Sequence, residues 1–307
     1  MQVGEARTRE ANQSSVRPVV VGVDGSESSR RAAHLAAEEA RRRAAPLRLL
    51  FALDSPFSEL ATLAPGSRVP AALHDSAAEV LRSVEAAVAP VVGEGRTSWS
   101  VLDGRPVELL RAASAEAQLV VLGARGAGGV GGLVLGSTAS GVVAGASCPV
   151  IVLPDDTSVT VSERRSVVVG VKGRSDDEVL AFAFDEAAAR DTDLIAVHTW
   201  QDTAVDPAYR TISPLIDWAR VRDQEERVLA EALAGWRDKR PDVVVREVVL
   251  RDKPARGLLA AALTAELLVL GHRRRNRLAA LTSTTHGVLH RAPCPVAVVP
   301  IGSGQED

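Results

Sequence analysis

The segment Val19-Val20-Val21-Gly22-Val23-Asp24-Gly25 returns 148 positions later as Val167-Val168-Val169-Gly170-Val171-Lys172-Gly173. Leu119-Val120-Val121-Leu122-Gly123 returns at the same shift as Leu267-Leu268-Val269-Leu270-Gly271, and Pro106 as Pro254. Cys148-Pro149-Val150 returns as Cys294-Pro295-Val296, now shifted by 146, so the second copy has lost two residues between Gly271 and Cys294. A period of this size marks a duplicated folding unit, and at roughly 100–200 residues per domain each copy is long enough to bury its own core.

Within each copy, short runs rich in Val, Leu and Ile alternate with longer Ala-rich or 3.6-periodic segments. Continuous apolar strands of this kind belong to parallel sheets covered by helices on both faces. The pattern predicts strands near 18–23, 47–53, 97–102, 118–123 and 149–153, with helices near 26–44, 75–92, 106–117 and 138–146. In the second copy Ser175 and Glu178 read as a capping box. A helix after Pro214 places Leu215, Trp218, Leu229, Leu233 and Trp236 roughly on one face, as core residues. The expected architecture is α/β, with two tandem doubly wound five-stranded parallel-sheet domains over 17–154 and 166–301. Residues 155–165 form a polar linker, and residues 1–16 and 302–307 are disordered ends.

Composition narrows the function. With 36 basic and 39 acidic side chains, a net charge of -3 provides no global positive field for nucleic acid. No apolar stretch of the length a membrane span needs occurs, and the first residues are polar without the apolar core of a secretion signal, so the expected location is cytoplasmic. The two cysteines, Cys148 and Cys294, cannot build a disulfide framework. Aromatics are 3% of residues, which leaves the core to aliphatic side chains.

Doubly wound sheets bind ligands at the carboxyl ends of the strands where strand order reverses, which directs attention to the loops after the first and fourth strands. After the fourth strand the first copy reads Gly123-Ala124-Arg125-Gly126-Ala127-Gly128-Gly129-Val130-Gly131-Gly132-Leu133-Val134-Leu135-Gly136-Ser137-Thr138. Glycines let the backbone turn its N–H groups toward an anion, and Gly136-Ser137-Thr138 opens a helix whose free N–H groups and hydroxyls suit phosphate. A flexible loop with a hydroxyl cap would show the same composition. No P-loop lysine motif exists, and the G-x-G-x-x-G within this loop follows the wrong strand for a Rossmann fingerprint.

These residues resemble the universal stress protein family in its tandem two-domain form. The resemblance rests on Gly123-x-x-Gly126, nine residues, then Gly136-Ser137, together with Val21-Gly22-Val23-Asp24-Gly25-Ser26, Asp103-Gly104-Arg105-Pro106 and the closing Cys148-Pro149-Val150-Ile151-Val152. It implies flavodoxin-like three-layer sandwiches of the adenine nucleotide alpha hydrolase-like kind, and ATP, with Mg²⁺, as cofactor. It further implies that Asp24 faces the nucleoside beside Gly22, that Ala52 offers backbone groups to the adenine, and that Gly104 lies near the ribose. Gly123, Ala124, Arg125 and Gly126, with Gly136, Ser137 and Thr138, would wrap the phosphates. Asp24 can equally be read as a helix-capping carboxylate.

The second copy departs at these places. Lys172 stands for Asp24, Asp252 for Gly104, Arg274 for Gly126 and Thr282 for Gly136. The expectation is that this half does not bind ATP in the family manner. Its loop carries Arg273, Arg274, Arg275 and Arg277, and a short charge run is ordinarily a solvated surface. His286 and His290 lie four apart near His272, without an evident carboxylate or thiol to complete a metal site. His34, His74 and His198 carry no motif.

The leading expectation is a nucleotide-dependent stress-response regulator or adaptor that acts on an unknown protein partner and is non-catalytic or weakly catalytic, with at most slow ATP hydrolysis. The alternatives are a slow ATPase or phosphotransferase with Asp24 holding Mg²⁺, and an adaptor whose pocket is vestigial. The resemblance also implies that the edge strands 150–153 and 296–299 pair, so that one chain imitates a dimer, and homodimerisation is open.

Overall fold

The computed structural model describes residues 8–9, 16–54, 69–126, 135–155, 166–173, 176–200, 217–273 and 281–302. The chain divides into two compact units, with the division after Asp155.

In the first unit the order is β1 (Thr8–Arg9), β2 (Val19–Gly22), α1 (Glu27–Arg42), β3 (Leu47–Leu53), α2 (Val69–Val92), β4 (Thr97–Asp103), α3 (Pro106–Ser114), β5 (Leu119–Gly123), α4 (Ser137–Gly145) and β6 (Val150–Leu153). Across the sheet they run β1-β4-β3-β2-β5-β6, all parallel except β1. The expected five parallel strands are present. A sixth, β1, comes from the stretch read as a disordered end and pairs antiparallel with Trp99 and Ser100 of β4. It covers backbone groups that an edge strand would leave open.

The second unit contains β7 (Ser166–Val171), α5 (Asp177–Arg190), β8 (Asp193–Trp200), α6 (Trp218–Lys239), β9 (Val245–Arg251), α7 (Pro254–Ala261), β10 (Leu267–Arg273), α8 (Ser283–Leu289) and β11 (Val296–Ile301). Its parallel order is β11-β10-β7-β8-β9.

The central strands of both sheets are buried on both faces. Val19, Val20 and Val21 in β2, and Val167, Val168 and Val169 in β7, are all buried, which is why these strands read as unbroken apolar runs. Helix α1 presses Ala32, Ala33, Ala36, Ala37 and Ala40 against the sheet, small residues that allow close approach. Ser26 caps it by accepting the Ser29 N–H at 3.1 Å. Helix α2 starts at Val69, ahead of the expected 75, because Pro70 sits in the first turn where its missing N–H costs nothing.

The cap of α5 differs from expectation. Ser175 lies outside the described residues, and the N-cap is Asp176, whose carboxylate accepts the backbone N–H groups of Lys172 at 2.5 Å and Gly173 at 3.3 Å. On α6, Leu229 and Leu233 are fully buried as expected, and Leu215 is outside the described residues. The aromatics are half-buried instead of filling the core. Trp236 stacks on Phe184 at 5.7 Å and donates to Asp177, while Trp218 stacks on Trp200 at 5.9 Å beneath the Arg251 guanidinium. An indole carries an N–H that needs a partner, which favours the rim of a core over its centre.

One repeated feature was not evident from the apolar pattern. Glu39 in α1 and Glu186 in α5 are both buried, each paired with an arginine four residues on, Arg43 and Arg190. Cys148 and Cys294 are buried and form no disulfide among the described residues, and burial pushes the Cys148 thiol up to about 12. Native protein at neutral pH is therefore expected to leave Cys148 unreacted toward a disulfide reagent until denaturant is added, and rapid labelling without unfolding would contradict this burial. Among the described residues no helix is long and apolar enough to cross a membrane.

Candidate functional site

In the first unit the strand order reverses at β2, which has β3 on one side and β5 on the other. The ladder between β2 and β3 ends at Gly22 opposite Leu50, where Leu50 accepts the Val23 N–H at 2.9 Å, but β3 continues beside β4 to Leu53 opposite Asp103. In a parallel strand every second residue turns its backbone the same way. Ala52, two residues beyond Leu50, therefore presents its N–H and C=O on the side that β2 has vacated. These are the groups expected to meet an adenine edge.

Asp24 follows β2. Its Oδ1 accepts the Ser26 N–H at 3.0 Å and the Ser26 hydroxyl at 2.6 Å. The helix cap is thus Ser26, and Asp24 holds that cap in place instead of being it. Gly126 lies directly against this carboxylate, since a Cβ on Gly126 would fall 2.6 Å from Asp24 Oδ2. Ala124 fixes the intervening turn, donating its N–H to Leu153 at 2.8 Å and accepting the Gly136 N–H at 2.7 Å. A Cβ on Gly136 would fall 3.2 Å from the Ala124 carbonyl. Asp24, Gly126 and Gly136 are consequently neighbours across a turn in which side chains have no room.

Gly136 is the N-cap of α4 and supplies no side-chain cap. The first-turn N–H groups, with exposed Ser137 and half-buried Thr138, are left available to an anion. Residues 127–134, which hold four further glycines, lie outside the described residues.

Three expected site residues have other local roles. A Cβ on Gly22 would meet Leu122 at 2.8 Å, and one on Gly123 would fall 2.4 Å from the Ser28 hydroxyl, so both glycines allow side chains or a helix to close on the sheet. Gly104 has φ +139°, which disfavours any side chain, and donates to Leu53 at 3.0 Å. It sits at the end of β4, on the far side of β3 from Asp24.

Arg125 pairs with Asp155, which also binds Arg31 at 3.2 Å. Sequence reading missed Asp155, placing it in the linker, and missed Arg31. Their separations of 30 and 124 positions leave no local signal. Burial alone would raise the Asp155 carboxyl, but the Arg125 and Arg31 guanidinium groups outweigh it and hold the carboxyl below its ordinary range. A carboxyl depressed on folding stabilises the protein above its unfolded pKa, and that contribution is lost as pH falls through the lower folded value. Urea unfolding at about pH 5 and about pH 3 is expected to show a smaller acid loss for Asp155→Asn than for wild type. Equal losses would show that the cluster contributes nothing.

The second unit places different chemistry on the same frame. Gly170 pairs with Val197 as Gly22 pairs with Leu50, so His198 and Thr199 occupy the places of Phe51 and Ala52. Thr282 caps its own helix by accepting the Thr285 N–H at 3.3 Å, where Gly136 leaves α4 uncapped. Asp252 accepts from Lys253 at 2.6 Å and from Arg256 at 2.7 Å. Arg274, Arg275 and Arg277 lie outside the described residues. His286 and His290 bring ring nitrogens within 3.1 Å of each other, and burial first, then His286 and Arg291, lowers the His290 pKa. Among the described residues no group of three metal-binding side chains occurs.

The profile of the universal stress protein family matches the chain twice, over residues 15–154 and 163–300. A universal stress protein of Mycobacterium tuberculosis is 35% identical over 308 residues, covering 92% of this chain and 95% of its own. A second from that organism is 35% identical over 294 residues, covering 91% and 95%. The crystal structure of a universal stress protein from Archaeoglobus fulgidus superposes with a TM-score of 0.64 at 19% identity, over 94% of this chain and 98% of that one, a likeness of fold.

Proposed function

The chain belongs to the universal stress protein family, with two family domains in tandem, and we propose that its first domain binds ATP and that occupancy of this one pocket regulates the choice of a protein partner. The observation that carries the reading is the packing of Gly126 against Asp24 beside an uncapped helix N-terminus. A Cβ would fill the space a nucleotide needs, and its absence at Gly126 and Gly136 suits backbone contact with phosphates. The Ala52 backbone suits the two-sided hydrogen bonding of an adenine edge. Ser137 and Thr138 add hydroxyls to the phosphate end.

Magnesium would neutralise phosphate charge, with Asp24 as the carboxylate within reach of it. Arg125 and Arg31 stand behind the loop, and Asp155 holds them. This equipment serves binding, and the protein is then a cytoplasmic adaptor whose two states differ in nucleotide affinity. The test is to purify the chain without added nucleotide, denature it, quantify what is released, and titrate the stripped protein with ATP by calorimetry. About one adenine nucleotide per chain is expected. No released nucleotide and no binding heat would leave the adaptor without a nucleotide.

A further inference from the structure

At the carboxyl ends of β7, β8 and β10 the second domain forms a half-open cavity of about 150 Å³. It lies where this domain's strand order reverses, but its walls are not those of the first domain. Val197, Leu258 and Leu270 form an apolar side, and Lys172, Thr199, Thr282, Thr284 and Thr285 the polar one; the Thr282 and Thr285 hydroxyls lie 2.9 Å apart and engage each other, which leaves Lys172 with Thr199 and Thr284 for a ligand. The acidic position of the first domain, Asp24, has become a cation.

The loop bearing Lys172 is fixed by Asp176, which accepts its backbone N–H at 2.5 Å. Among the described residues the Lys172 ammonium has no ion-pair partner within 4.0 Å. It lines the same cavity as Leu270 and Gly271 at the end of β10, and the neighbouring His272 is pushed below the ordinary histidine value, first by burial and then by Lys172. His272 is buried, and among the described residues its Nδ1 has no partner. His198 belongs to the wall. Its Nδ1 lies 2.8 Å from the Val171 carbonyl and its Nε2 2.9 Å from Glu225, so neither nitrogen remains for a ligand.

We propose that this cavity binds a small organic carboxylate with a compact apolar body, the carboxylate at Lys172, Thr199 and Thr284 and the body against Leu258 and Leu270. A space of about 150 Å³ accommodates a benzene ring, which sets the size of the body. Taking an anion out of water requires a charge partner and hydrogen bonds. One ammonium with two hydroxyls matches a monocarboxylate, and it repels cations.

The test uses the full chain, with benzoate as probe and benzyl alcohol as its uncharged counterpart, followed by calorimetry. One saturable benzoate site is expected, weakened about tenfold or more in Lys172→Met, while benzyl alcohol binds both proteins alike. Thr199→Val should weaken benzoate several-fold without changing benzyl alcohol, a second route should Lys172→Met fold poorly. Saturating ATP should leave benzoate bound, and Gly126→Arg in the first domain should not affect it. No saturable benzoate binding, equal affinity for the two probes, indifference to both variants, or displacement by ATP would each overturn the assignment.

Discussion

Replacing Gly126 with arginine, the residue at the matching position of the second domain, is expected to weaken ATP binding by roughly a hundredfold or more, about 3 kcal/mol, at little cost in stability. Gly126 is exposed and its φ is not in the left-handed region, so the backbone accepts an L residue. What the residue cannot have is space on the ligand side. Even a methyl group would reach within 2.6 Å of Asp24 Oδ2, and a guanidinium would pair with that carboxylate and occupy the phosphate end of the crevice. The reading separates cleanly from unfolding, because a variant with an unchanged thermal midpoint and no binding heat has lost the pocket alone. An arginine variant that binds ATP as wild type does would place the nucleotide elsewhere.

The largest change in stability is expected from Arg190→Met, which should destabilise the protein by about 3–5 kcal/mol. Glu186 is 2% exposed, and Arg190 binds both its carboxylate and its backbone carbonyl, at 3.2 Å for the latter. Arg190 also reaches Glu266 at 3.7 Å. Removing the cation leaves a carboxylate in the interior with its main counter-charge gone, and that uncompensated charge costs more than the pair contributes. Glu186→Leu combined with Arg190→Met should recover most of the loss, because an apolar pair of similar volume needs no counter-charge. In the first domain Glu39 is fully buried but faces two guanidinium groups, Arg42 at 3.0 Å and Arg43. Either single replacement there should cost less than Arg190→Met. Denaturant unfolding of the four variants measures this order, and a double variant no more stable than Arg190→Met would show that the side-chain volume, and not the charge, matters.

The histidines and glycines show how far residue type alone carries. His198 looked featureless in sequence because its partners, the Val171 carbonyl and Glu225, are each 27 positions away. Gly22 and Gly123 stood in a glycine pattern that suggests a ligand, yet in space each one's missing Cβ makes room for Leu122 or Ser28. Gly126 and Gly136 belong to the same pattern, and their missing Cβ atoms face the Asp24 carboxylate and the Ala124 carbonyl. Spacing along the chain does not distinguish the two kinds, because both require a residue without a side chain.

From the sequence alone come the duplication, the alternation of apolar runs with amphipathic segments, the first copy's strand and helix limits to within a few residues except the start of α2, and the loss of the glycine pattern in the second copy. These are local properties, set by which residues must be buried at each period along one element. Only the tertiary structure decided that Asp155 holds Arg31 and Arg125, that Ala52 lies past the end of the β2 ladder, and that Lys172 lines a cavity. Each depends on which strand lies beside which and where each one ends, and that geometry exists only once the sheet has assembled.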